Sequence, residues 1–151
     1  MLTGEYRNSL DEKGRLLIPS RIRNEVAGGE LVITRGMDRC LWLFPPAEWR
    51  ALSESLMRAA SPFTREARMM QRRIIAPAQE VEIDKAGRIN IPRSLMQSAD
   101  LERDCVLLGI NRYLEIWDAD AYDAYLEETE PDFQQAAEKL GGSVSFFDEN
   151  R

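Results

Sequence analysis

No histidine occurs among the 151 residues of this chain. That removes Ser-His and Cys-His nucleophile pairs, and it removes the commonest zinc ligand. An enzyme built on this sequence would have to run on Asp, Glu, Lys or Tyr. Cysteine is nearly missing too. Cys40 and Cys105 lie far apart, each inside an apolar run. They read as two buried, reduced thiols and not as a disulfide or a metal pair, so no metal or cofactor is expected. No apolar run reaches the length that spans a bilayer, and no membrane partner is expected. The start, Met1-Leu2-Thr3-Gly4-Glu5, lacks the basic and apolar regions of a signal peptide. No phosphate-cradling loop and no paired-carboxylate constellation stands out, so neither an enzyme nor a small-molecule substrate is expected.

Basic residues are scarce at one end only. From residue 113 to 151 the chain carries 11 acids against Lys139 and Arg151. Residues 1–112 hold 18 bases and 15 acids, so the net charge of -6 is a property of the C-terminal part. Two stretches are locally basic. Residues 1–23 contain Arg7, Lys13, Arg15, Arg21 and Arg23, and residues 58–73 contain five arginines and one acid. A charge run is most often a solvated face, so these stretches permit an anionic partner without requiring one.

The strongest feature present is a repeat. Asp11-Glu12-Lys13-Gly14-Arg15-Leu16-Leu17-Ile18-Pro19 returns as Asp84-Lys85-Ala86-Gly87-Arg88-Ile89-Asn90-Ile91-Pro92, 73 residues later. Both carry Asp-x-x-Gly-Arg-x-x-Ile-Pro. The surrounding pattern extends the match: Ile22 and Val26 face Leu95 and Ala99, residues 32–35 face 105–108, Gly36 faces Gly109, residues 41–44 face 114–117, and Trp49 faces Tyr122. One uninterrupted spacing over this length predicts two copies of a βαββ-type unit.

Local chemistry supplies the elements. Asp and Gly make the segment 11–14 a turn between short strands, and Pro19 ends the return strand. Residues 20–27 read as a short helix stopped by Gly28-Gly29. Strands follow at 31–34 and 40–44, then a helix at 47–59 with Trp49, Leu52 and Leu56 on one face. Between the copies, Ser61-Pro62 is the expected cap of a helix whose apolar face is Phe63, Ala67, Met70 and Ile74. A last helix is expected at 131–140, and the pair Gly142-Ser143 beyond it is taken as chance. The expected organisation is repeat 1 over 5–52, linker helices over 53–77, repeat 2 over 78–125 and an acidic tail over 126–151. Neither copy has enough core to stand alone, so the pair should close one small β-barrel about a pseudo-two-fold axis. The fold class is α+β, mainly β.

Features common to both copies are those the fold needs: Asp11, Gly14 and Pro19 with Asp84, Gly87 and Pro92, and the arginines Arg15 and Arg88. Features that differ are candidates for function. Lys13 faces Ala86, Arg7 faces Glu80, and Arg21 and Arg23 face Ser94 and Met96. These differences point to the first copy as the phosphate-binding one.

The duplicated motif, with Gly4-Glu5-Tyr6 leading in and Leu41-Trp42-Leu43-Phe44-Pro45 following, resembles the SpoVT/AbrB-type swapped-hairpin domain family in its two-copy form. The resemblance covers residues 4–125. It implies a double-psi-like barrel and a cytoplasmic, nucleoid-associated transcription factor. It further implies rings of identical subunits that bind short direct repeats in double-stranded DNA, usually repressing the division and cell-wall gene cluster. It assigns DNA contact to Arg15 and Lys13; Arg7, Arg21 and Arg23 join them on charge alone, and Arg88 is assigned to structure. The alternative is an antitoxin-like interaction module whose acidic C-terminal tail wraps a basic partner.

Overall fold

Two chain crossings at the Asp-x-x-Gly-Arg turns position everything else in the computed structural model, which describes residues 1–59 and 61–142. The first copy supplies β1 (Leu2–Ser9), β2 (Arg15–Leu17), α1 (Ser20–Arg23), β3 (Glu30–Arg35), β4 (Leu41–Phe44) and α2 (Pro46–Ala59). A linker follows with α3 (Arg65–Met70) and a wide helical turn, Gln71–Ile75. The second copy supplies β5 (Gln79–Glu82), β6 (Arg88–Asn90), α4 (Arg93–Ser98), β7 (Asp104–Asn111), β8 (Leu114–Asp118) and α5 (Ala119–Thr129), and α6 (Phe133–Gly141) ends the described chain.

The strands exchange between copies. A six-stranded antiparallel sheet runs β1-β7-β8-β4-β3-β5, and β2 pairs with β6 in a separate ribbon. The leading strand of copy 1 therefore lies on copy 2, and the leading strand of copy 2 lies on copy 1. Two pairings sit on the pseudo-two-fold axis itself. Leu16 is opposite Ile89 in the ribbon, and Trp42 is opposite Glu115 in the sheet, each a residue facing its own twin. The crossing is tied by reciprocal bonds: the Ile18 N–H donates to the Gly87 carbonyl at 2.8 Å, and the Ile91 N–H donates to that of Gly14 at 3.0 Å. The ladder does not close. β1 and β5 remain its edges, and β2 and β6 lie in their own ribbon. The class is the expected one, but the barrel is not sealed by hydrogen bonds.

The spacing of 73 fails in one place. Val32 is paired with Phe44, whereas Cys105 is paired with Asp118, so the twin of Cys105 is Leu31 and the spacing in this strand is 74. Independent bonds agree. Leu10 N–H donates to Arg103 O and Ile83 N–H to Gly29 O, while Gly36 N–H donates to Cys40 O and Ile110 N–H to Tyr113 O. Copy 2 thus gains one residue before β7 and loses one in the β7–β8 turn. The core explains why this arrangement holds. Leu31 and Ile33 point inward in one copy, as do Cys105 and Leu107 in the other, and the remaining buried twins, Leu16/Ile89, Ile18/Ile91, Ile22/Leu95, Leu41/Leu114 and Leu43/Ile116, keep 73. A strand shifted by one would turn its inward set to the opposite face. Burying each such aliphatic is worth about 1.5–3 kcal/mol, which is ample reason to accept a one-residue adjustment in two loops.

The linker packs on copy 1. Its cap is Thr64, whose hydroxyl accepts from the Ala67 N–H at 3.2 Å, and not Ser61 as the sequence suggested. Ala67 and Ile74 are buried, while Phe63 is 92% exposed and takes no part in the apolar face. Thr34, polar and fully buried, donates to Ile74 O at 2.6 Å. Arg73 donates to the carbonyls of Gly36 and Asp38, so one linker arginine is committed to holding the β3–β4 turn. Both cysteines are buried and free; burial pushes the Cys40 thiol well up and the Cys105 thiol to about 12. Among the described residues, no helix is long and apolar enough to cross a membrane.

Residues fall into two compact units, Met1–Ala119 with both strand sets and a second from Asp120 onward. In the second unit, a turn of 3-10 helix at Glu130–Asp132 leads into α6, near the expected final helix. Ser143 of the pair Gly142-Ser143 lies outside the described residues.

Candidate nucleic-acid interface

The first turn is built around one carboxylate. Asp11 Oδ1 accepts the backbone N–H groups of Lys13 and Arg15, both at 2.9 Å. Its Oδ2 accepts from Arg15 Nε at 2.7 Å and from Arg88 Nη1 at 3.3 Å. The bond from the Arg15 backbone N–H is the chief reason the Asp11 carboxyl is held below its usual range. Asp84 repeats the backbone part: its Oδ1 accepts from Ala86 N and Arg88 N at 2.9 Å. The side-chain part is weaker, with Arg88 Nε 3.7 Å from Asp84 Oδ2. The Arg88 backbone bond leads the lowering of the Asp84 carboxyl as well. Gly14 and Gly87 close the two turns at φ +75 and +84, where a side chain would be strained.

Both arginines are therefore clamps, and Arg15 is the less fully engaged of the two. It uses only Nε on Asp11; among the described residues no bond involves its terminal amino groups. Those groups can still fork onto a phosphate or a guanine edge. Lys13 stands exposed beside it at the tip of the turn. The structure brings Asp11, Arg15, Asp84 and Arg88 into one cluster across the axis. Pro19 and Pro92 precede α1 and α4 as their extended caps.

The other residues singled out by charge do not gather at this turn. Arg7 lies in the edge strand β1, where it pairs with Glu5 at 3.4 Å. Arg21 is exposed on α1, close enough to influence Glu25. Arg23 donates from Nη1 to Ile18 O at 2.8 Å and lies over Gly87, the turn of the other copy. Its twin Met96 lies over Gly14 in the same way. The strand exchange carries each helix to the opposite turn, and linear order gave no sign of that. Beside the first turn is a broad concavity of about 1100 Å³ whose acids include Glu12, Glu80, Glu82 and Glu102, with Lys13 and Arg93 as its bases. Among the described residues, no group of three or more Cys, Asp and Glu is placed to hold a metal ion.

Comparison with known proteins matches the geometry of two copies. A family described as "MraZ protein, putative antitoxin-like" matches residues 1–73 and again 74–142. A relative from Treponema denticola, named Transcriptional regulator MraZ, is 51% identical over 140 residues, covering 93% of this chain and 97% of its own. One of the same name from Treponema pallidum is 49% identical over 138 residues, covering 91% and 93%. Another from Limosilactobacillus fermentum is 43% identical over 143 residues, covering 94% and 98%. With the family matched twice along the chain, and relatives of this identity aligned over nearly their whole length, the chain belongs to the MraZ family.

Proposed function

We propose that the protein is a sequence-specific DNA-binding transcriptional regulator, acting in the cytoplasm at the nucleoid as a repressor of the division and cell-wall gene cluster. The observation that carries this reading is the set of relatives named as transcriptional regulators, aligned over more than nine-tenths of both chains. The turn geometry supports it. Asp11 organises the loop and orients Arg15 by Nε, which leaves the terminal amino groups for a base edge or phosphate, with Lys13 adjacent.

One turn offers few cations, so one subunit alone should bind weakly and in a salt-sensitive way. A ring of identical subunits that sets several turns against spaced direct repeats would gain by effective concentration. Arg15→Ala tests the site. It should abolish preference for the duplex upstream of the chain's own gene cluster while leaving the oligomer intact in sedimentation. Loss of assembly with DNA preference kept would make Arg15 a clamp and nothing else.

A further inference from the structure

The two turns differ in charge, and the exchange of strands widens the difference. The first turn, residues 11–15, has Asp11 and Glu12 balanced by Lys13 and Arg15, and an uncharged Met96 over it. The second, residues 84–88, has Asp84 against Lys85 and Arg88, and it receives Arg23 from copy 1. The twin of Glu12 is thus Lys85, and the twin of Met96 is Arg23. The flanks follow the same rule. Glu80 lines the acidic concavity beside the first turn and lies opposite Val32, whereas its twin Arg7 lies opposite Val106, the twin of Val32. Arg23, which looks like part of the first motif's basic surroundings in the linear chain, is delivered to the second turn.

Arg23 is also held ready. Nη1 is fixed on Ile18 O at 2.8 Å, and its guanidinium lies against the Gly87 turn, close enough that a Cβ there would collide with it. The side chain is half-buried, and among the described residues neither it nor Lys85 makes an ion pair. A fixed guanidinium and an exposed ammonium at one turn suit a phosphate diester backbone. Neither is positioned by a carboxylate, as Arg15 is, for bidentate reading of a base.

We propose that the turn at residues 85–87, with Arg23 laid over it, is a second DNA contact that grips phosphate without reading sequence. The first turn reads sequence through Arg15. The division of labour rests on the DNA-binding function proposed above. It accounts for the lysine that copy 2 places where copy 1 has Glu12.

Lys85→Ala and Arg23→Met test it. The second variant copies the apolar packing that Met96 already shows over Gly14, so the turn should stay folded, and thermal melting checks this. Binding is measured by fluorescence anisotropy on two probes, the duplex upstream of the gene cluster and a short mixed-sequence duplex, at about 50 and 200 mM salt. Each variant should weaken both probes by the same factor and reduce the salt slope by about 0.9. Across that salt range, the wild type should lose roughly 3–4-fold more affinity than either variant. Arg15→Ala should instead remove the preference between probes. Wild-type binding with an unchanged slope in both variants overturns the second contact and leaves the regulator reading standing. A wild type that binds neither probe overturns both.

Discussion

Asp11 holds two arginines, Arg15 at 2.7 Å and Arg88 at 3.3 Å, whereas Asp84 holds one at 3.7 Å. The cluster is therefore asymmetric, and its keystone belongs to the first copy. Because binding partners lower the Asp11 carboxyl in the folded state, its contribution is fully present above the usual carboxylate range and is lost as pH falls through the lowered value. We expect Asp11→Asn to melt below the wild type, by a gap constant from neutral pH down to about 5 and closing at lower pH. Asp84→Asn should show a smaller gap. Melting curves of the three proteins across pH would check the order; a larger effect at Asp84 would contradict the geometry.

Arg15 and Arg88 also show what the residues themselves disclosed. A motif written twice announced a structural clamp, and each Asp does cap its own turn. The cross-axis bond from Arg88 to Asp11 was hidden, because nothing in a linear repeat says which copy's arginine reaches which carboxylate.

At the scale of elements, the exchanged strand β1 depends on one close approach. Gly4 and Gly109 face each other in the β1–β7 ladder, and a Cβ on Gly109 would come within 2.6–2.7 Å of Leu2 and Thr3 backbone atoms. Backbone cannot yield there as a side-chain tip would. Gly109→Val should destabilise the protein by about 1–3 kcal/mol and raise hydrogen exchange selectively in Leu2–Ser9. Uniform protection with unchanged stability would mean that β1 is not held this way.

The same strand shows where sequence reading of elements ends. The turns and short strands could be placed from Asp, Gly and Pro chemistry. Register in β3 and β7 could not, because Leu31-Val32-Ile33 and Cys105-Val106-Leu107-Leu108 are continuous apolar runs with no alternation to mark the inward face. A glycine match, Gly36 with Gly109, then favoured the wrong alignment. Ile110, not Gly109, makes the bond equivalent to that of Gly36.

For the whole molecule, duplication and strand exchange give a body with two related turns in unlike surroundings. The first adjoins acids from copy 2, and the second receives a base from copy 1. Composition exposed the motif and the charge difference between copies, but the pairing that assigns each charge to a turn is long-range and leaves no local trace. The comparisons show the family, and the two turns are where the proposed DNA contacts lie.

The most direct test titrates wild type and Arg15→Ala against duplexes carrying one, two and three upstream repeats at two salt concentrations. Affinity should climb steeply with repeat number and fall with salt, and Arg15→Ala, while still assembling and melting normally, should keep only weak binding that no longer depends on the repeat sequence. Equal wild-type affinity for one repeat and for three, or unimpaired binding by Arg15→Ala, would contradict this reading.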